Sequence, residues 1–201
     1  MTNPGQWCKV MLQHIAAESK RRGSKFQEWA AGASAGDWQR LGRAYIAQSQ
    51  ETTSHRLLDA TGFSTALVGA VAEMLPGARF VAIRSNPLDA CWSCFKSDYP
   101  SGHGYSYDFA ELAACWHDHQ RLLQRWNERY AERIHVVVAA DVQADPKAAI
   151  ARLLAHIGLE PADDMSRSID EIQTHDRVAG SVYGDLLKPL AQMIAARDDA
   201  T

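Results

Sequence analysis

From His55 onward the sequence alternates short apolar runs of strand length with longer stretches of helical period. The runs are Arg56–Leu58, Arg79–Ile83 and Ile134–Ala139, and the helical patterns between them cover Phe63–Leu75, Leu88 to about Ser97, and Asp108–Tyr130. Strands separated by helices cannot pair through hairpins, so the alternation predicts parallel pairing and a layered α/β fold. In the longest helical pattern Leu112, Trp116, His119, Leu123, Trp126 and Tyr130 recur at spacings of four and three, which predicts one shared face. Pro146 and Gly158 bracket a further helix, Lys147–Ile157, striped by Ile150, Leu153, Leu154 and Ile157.

Ahead of His55 the pattern is helical throughout: Trp7–Arg22, Phe26–Ala33, and Asp37–Gln50 with Asp37 as its cap. At 201 residues the chain is expected to form a single domain, 1–201, with 46% hydrophobic residues and six tryptophans to build its core. Lys plus Arg number 21 against 24 Asp plus Glu, so no basic excess exists to neutralise a nucleic-acid polymer. No segment reaches the roughly 18 apolar residues of a membrane span. The longest, Thr65–Leu75, contains Glu73 and stops at Pro76. The start, Met-Thr-Asn-Pro-Gly-Gln-Trp, has no charged residue leading into an apolar run, so a cytoplasmic location is expected. Cys8, Cys91, Cys94 and Cys115 then read as reduced thiols.

Four places carry possible chemistry. Arg84-Ser85-Asn86-Pro87-Leu88-Asp89 leaves the carboxyl end of a strand and opens a helix, where free backbone N–H groups, an arginine fork and a hydroxyl suit an anion. The same residues also make an ordinary cap and turn. Cys91-Trp92-Ser93-Cys94 has dithiol spacing, but Leu88-Asp89-Ala90 already read as helix, which puts Cys91 inside it, where the dipole fades and a structural cysteine is expected. Cys91, Cys94, Cys115, His103, His117 and His119 are suitable zinc ligands by type. Residues two apart on a helix point to different faces, however, so Cys115 and His117 do not converge; no metal is expected, and His119 reads as a packed histidine. The loop Tyr99–Tyr107, rich in glycine and aromatics, reads either as an acceptor-site lid with His103 as base or as a loop packed over the core.

Leu58-Asp59, Gly69, Pro76-Gly77-Ala78-Arg79-Phe80 and Asn86-Pro87-Leu88-Asp89-Ala90-Cys91-Trp92-Ser93-Cys94-Phe95 together resemble the sulfotransferases related to tyrosylprotein sulfotransferase, including bacterial members fused to tetratricopeptide repeats. The resemblance runs without a gap from Asp59 to Phe95. It continues through Tyr105-Ser106-Tyr107-Asp108, Trp116, Trp126 and the helix from Ala148 to Gly158-Leu159, with a weaker likeness at Thr174-His175-Asp176-Arg177-Val178. It implies a P-loop-like three-layer α/β fold, with a short parallel sheet flanked by helices. It also implies 3′-phosphoadenosine 5′-phosphosulfate (PAPS) as donor, a hydroxyl or phenol acceptor, and Arg84, Ser93 and Thr174 as donor-binding residues. On this reading residues 1–54 are a helical lead-in and 55–180 the family-like region.

Three positions depart from the family's pattern. The Pro-Arg-Ser-Gly-Thr loop that cradles the donor's 5′-phosphosulfate has no counterpart upstream of Asp59, the family's Asp-Lys pair is Asp59-Ala60, and Ser85 stands where the 3′-phosphate arginine belongs, with Arg84 one place early. Sulfuryl transfer, like phosphoryl transfer, is catalysed by positioning and charge stabilisation, and one missing donor costs roughly 3 to 4 kcal/mol. The chain therefore reads as a short or degenerate sulfotransferase-family domain. The alternatives are a non-catalytic relative, or split half, that binds a partner protein or another copy, and a dithiol oxidoreductase using Cys91 and Cys94. His55, His103, Asp59 and His175 are all conceivable bases, and no motif chooses among them.

Overall fold

A computed structural model describes residues 6–49, 58, 65–99, 102–161 and 183–196. They belong to two compact units, Met1–Ala78 and Arg79–Thr201.

The first unit is helical: α1 (Gln6–Arg22), α2 (Phe26–Ala31), α3 (Ala35–Ser49) and, after a 3₁₀ turn at Thr65–Leu67, α4 (Val68–Met74). Val10, Met11 and Ile15 of α1 and Trp38, Leu41 and Tyr45 of α3 are buried, at the spacings a core-facing helix requires. Asp37 does not cap α3, as the sequence suggested. Ser34 does: its hydroxyl accepts from the Asp37 N–H at 3.2 Å, while the Asp37 carboxylate accepts from the Ser34 N–H at 3.1 Å. This reciprocal pair satisfies two helix-end donors and starts the helix two residues earlier than expected.

Glu18, only 3% exposed, accepts from Arg21 at 2.6 Å, Arg22 at 2.6 Å and Arg40 at 2.9 Å. The Arg21 hydrogen bond, helped by Arg22 and Arg40, holds its carboxyl far below the usual range despite the cost of burial. Trp29 closes the unit by donating its indole N–H to the Ser19 hydroxyl at 2.8 Å and packing on Trp38.

The second unit carries the sheet. Strands β1 (Phe80–Arg84) and β2 (Ile134–Val138) pair in parallel, from Phe80 opposite Ile134 to Arg84 opposite Val138. The crossover between them holds α5 (Pro87–Lys96), a 3₁₀ turn at Gly104–Tyr107 and α6 (Phe109–Arg129); α7 (Ala139–Ala144), α8 (Pro146–Ile157) and α9 (Gly184–Ala196) follow. The expected α/β architecture, a short parallel sheet flanked by helices, is what forms. Of the three anticipated strands, Arg56–Leu58 lies outside the described residues except for Leu58, which is exposed and has no strand conformation. No helix among the described residues is long and apolar enough to cross a membrane.

The helix ends follow the sequence closely. Asp108 caps α6 by accepting from the Glu111 N–H at 2.9 Å, and Asp145 caps α8 by accepting from the Ala148 N–H at 3.0 Å. Gly158, with φ of 65°, ends α8 in the left-handed conformation that glycine adopts without strain. The core of the unit is made by α5, α6 and α9 through Cys91, Trp92, Leu112, Ala113, Leu187, Leu190 and Ile194.

That packing corrects the expected stripe of α6. The buried residues are Leu112, Ala113 and His117, whereas His119 is exposed. Trp116 packs half-buried against the core, and Leu123, Trp126 and Tyr130 are half-buried further along, so the stripe departs from expectation at His119.

Candidate functional site

The carboxyl end of β1 presents Arg84 to solvent, and Ser85 and Asn86 lead from it into α5. Asn86 is the N-cap of α5. Its side-chain oxygen accepts from the Leu88 N–H at 2.9 Å and the Asp89 N–H at 3.2 Å, and Pro87 at the first helical position has no N–H to offer. The free backbone donors expected for an anion at this turn are therefore occupied by the cap itself. What remains to hold a negative group is the exposed guanidinium of Arg84 and nearby hydroxyls.

Ser93 is exposed on α5. Seven residues separate it from Asn86, which is close to two helical turns, so it lies on the same face of α5 about 10 Å along the axis. Its own carbonyl accepts from the Ser97 hydroxyl at 2.8 Å, which leaves the Ser93 side chain facing water. Asp89 sits between the two on the adjoining row and adds a negative charge beside that face. Thr174, and with it His175, His55 and the Asp59-Ala60 pair, lies outside the described residues.

Cys91 lies in the second turn of α5, buried, and burial pushes its thiol up to about 11. An attacking thiolate needs the opposite environment. Cys115, exposed on α6, is also pushed up, first by desolvation and then by Asp118, while His117 two residues on is buried. The two thus point away from one another, as the helical geometry required. Among the described residues no three ligating side chains form a metal cluster.

The aromatic loop is anchored to the core. Pro100 and Ser101 lie outside the described residues, but on either side of them the Tyr99 hydroxyl reaches Cys94 Sγ at 3.8 Å and the Tyr99 ring lies 4.4 Å from that of His103. His103 Nδ1 in turn shares a hydrogen bond of 3.1 Å with the Tyr105 hydroxyl. Burial, then the neighbouring Cys115, Cys94 and Tyr99, pushes the Tyr105 phenol up, so it stays protonated at neutral pH. Ser106 is wholly buried while Tyr107 stands out into solvent. The loop is packed over the core, and it holds half-buried His103 one side chain away from the α5 turn that carries Ser93 and Cys94.

The sequence reading overlooked one charged constellation, Glu18 with Arg21, Arg22, Asp37 and Arg40. The signal was present as Glu18 followed by arginines three and four residues later, a spacing that brings side chains together on one helix.

Residues 6–164 match the sequence profile of a family described as the sulfotransferase family. A protein of Aquifex aeolicus (strain VF5), described only as uncharacterized, is 22% identical over 102 residues, which is 49% of this chain and 13% of that protein. The chain thus spans about an eighth of that relative's length. No solved structure matches.

Proposed function

The chain belongs to the sulfotransferase family, and from that premise we propose that it binds PAPS, with Arg84 and Ser93 holding the 3′-phosphate and Thr174 contacting the adenosine. The observation that carries this reading is the α5 face: an unobstructed guanidinium at the end of β1, and an exposed hydroxyl two turns along the helix that begins there. An arginine fork and a hydroxyl bind a phosphate by charge-assisted hydrogen bonds, which are about twice as strong as neutral ones. Both compact units are taken as parts of one domain, because the family match runs across both.

In the reaction, sulfuryl transfer from PAPS to a hydroxyl or phenol breaks the bond between sulfur and the bridging phosphate oxygen and makes one to the acceptor oxygen, with charge spread over the equatorial oxygens. The chain's own share is to hold the nucleotide at Arg84 and Ser93 and to take the acceptor's proton. With Ala60 in place of the family's lysine, the departing charge loses a stabilising donor. Turnover is therefore expected to be slow even where binding is retained.

Calorimetric titration with 3′-phosphoadenosine 5′-phosphate tests the reading. Binding that weakens on Arg84→Ala and on Ser93→Ala supports it. No heat at high ligand concentration with folded protein overturns the nucleotide site.

A second reading, a non-catalytic relative that binds another protein or a further copy of itself, is favoured by β1. Among the described residues the sheet has two strands, and Val81 and Ile83 on one face of β1 are 43% and 71% exposed. An exposed apolar face of this kind suits burial against a partner surface. Light scattering that reports a monomer at every concentration, together with a Val81→Lys variant of unchanged behaviour, removes this reading.

A further inference from the structure

His135 of β2 and His156 of the last turn of α8 stack with ring centres 5.3 Å apart and planes 27° from parallel. Both rings are half-buried. His156 Nε2 lies 3.2 Å from the Arg133 carbonyl oxygen, and since a carbonyl only accepts, the proton sits on Nε2. This pair is one of the places where α8 touches the sheet.

Among the described residues, the groups around His135 offer no negative charge acting on it. From β1, its cross-strand partner is Val81, with Ile83 next on the same face; neither is charged. From α8 come His156 and Arg152, one turn apart. The segment entering β2 contributes Arg133, whose guanidinium lies over Phe80 and Tyr130. Helix α7 brings Asp141 in its first turn, but the charges that act on His135 are those of His156 and Arg152, both basic.

We propose that the stacked pair of His135 and His156 forms an acid-sensitive latch that holds α8 on β2 while His135 is neutral and lets it go when His135 gains a proton. Desolvation, then His156 and Arg152, lowers the His135 pKa below its usual 6.5. An undocked α8 leaves that pKa near the ordinary value, so the undocked form binds more protons. Docking is therefore fully present above about pH 6.5 and is lost as pH falls through the lower value of the docked state. An imidazolium at His135 then stands against the Arg152 guanidinium and is repelled across the interface. Because β2 is the strand on which β1 rests, release of α8 loosens the sheet end that presents Arg84. The latch stands independently of the family's reaction.

Hydrogen exchange of the full chain at pH 7.5 and pH 5.5, corrected for the intrinsic pH dependence of exchange, reads the latch directly. Amides of α8 are expected to lose more protection between the two pH values than those of α5, which contains no histidine. His135→Phe keeps an aromatic ring against His156, and His156→Gln keeps a donor for the Arg133 carbonyl; each should abolish the excess loss at pH 5.5. Parallel loss in α8 and α5, or a His135→Phe protein that responds like the wild type, overturns the proposal. Should the variants fail to fold, imidazole titration by NMR in the wild type decides the matter. A His135 midpoint below 6.5 supports the latch, and one at or above 6.5 overturns it.

Discussion

Gly42→Ala sets two effects of opposite sign against each other. Gly42 sits inside α3, where replacing glycine by alanine ordinarily stabilises by about 1 kcal/mol, because the unfolded chain loses freedom and the helix gains a good former. At this position a Cβ would stand 1.9 Å from the Met74 carbonyl oxygen and 2.9 Å from its carbonyl carbon, where real contacts keep at least 3.0 Å. The obstacle is backbone at the end of α4, not the tip of a flexible side chain, so α3 and α4 must part by more than an ångström. Buried Leu41 and Tyr45 on α3 and Ala70, Val71 and Met74 on α4 would lose packing with that shift. Overpacking of this kind costs about 3 kcal/mol, so the net expectation is a loss of about 2 kcal/mol. With a urea slope of about 2 kcal/mol per molar, the unfolding midpoint falls by about 1 M. Gly36→Ala on the same helix is the control: its Cβ meets only the Ser34 hydroxyl at 3.7 Å, and it should raise the midpoint. A Gly42→Ala midpoint equal to or above wild type refutes the close approach of α3 and α4.

Four further outcomes are expected. Ser34→Ala removes the cap of α3 and should cost about 1 kcal/mol in urea unfolding; Asp37, whose carboxyl is drawn down to about 2 first by Arg22 and then by Ser34, should make the protein less stable as pH falls through that value, and Asp37→Asn should flatten this acid dependence. With its thiol pushed up to about 11, Cys91 should alkylate at neutral pH more slowly than Cys94 or Cys115, and peptide mapping that finds Cys91 modified first would contradict its burial. Asn86→Ala should destabilise α5 by about 1 kcal/mol while freeing the Leu88 and Asp89 N–H groups, so inorganic phosphate should raise its melting temperature more than that of the wild type; an equal rise would show that those donors never reach the anion.

Features set by neighbours in the chain were legible in the sequence. Pro146 and Gly158 fix the ends of α8 through interactions spanning only a few residues, and each stands where the sequence placed it. The order of β1, two helices and β2 was readable because a parallel pair demands a crossover. What escaped depends on contacts between distant elements. The face of α6 was misjudged at His119, because periodicity shows that a stripe exists, not which of its members the neighbouring elements cover. Helix α9 was not announced by the strand alternation, and Pro189 in its interior argues against a helix locally; burial of Leu187, Leu190 and Ile194 outweighs that penalty. The contact of His135 with His156 joins a strand to a helix, and no local spacing encodes it.

The turn before α5 shows the same limit at the candidate site. Arg84-Ser85-Asn86-Pro87 was read both as an anion-binding turn and as an ordinary cap, and the structure satisfies the second reading while keeping the first within reach. Losing the Asn86 cap costs about 1 kcal/mol. A phosphate that took over the same two N–H groups would gain charge-assisted bonds of about 1.5 to 3 kcal/mol each. Asp89 opposes it with about 1 kcal/mol of repulsion at a solvated distance near 4 Å. The balance favours the anion once Arg84 has brought it close. The Asn86 cap and a bound phosphate would thus compete for one set of donors, and the phosphate response of Asn86→Ala measures that competition.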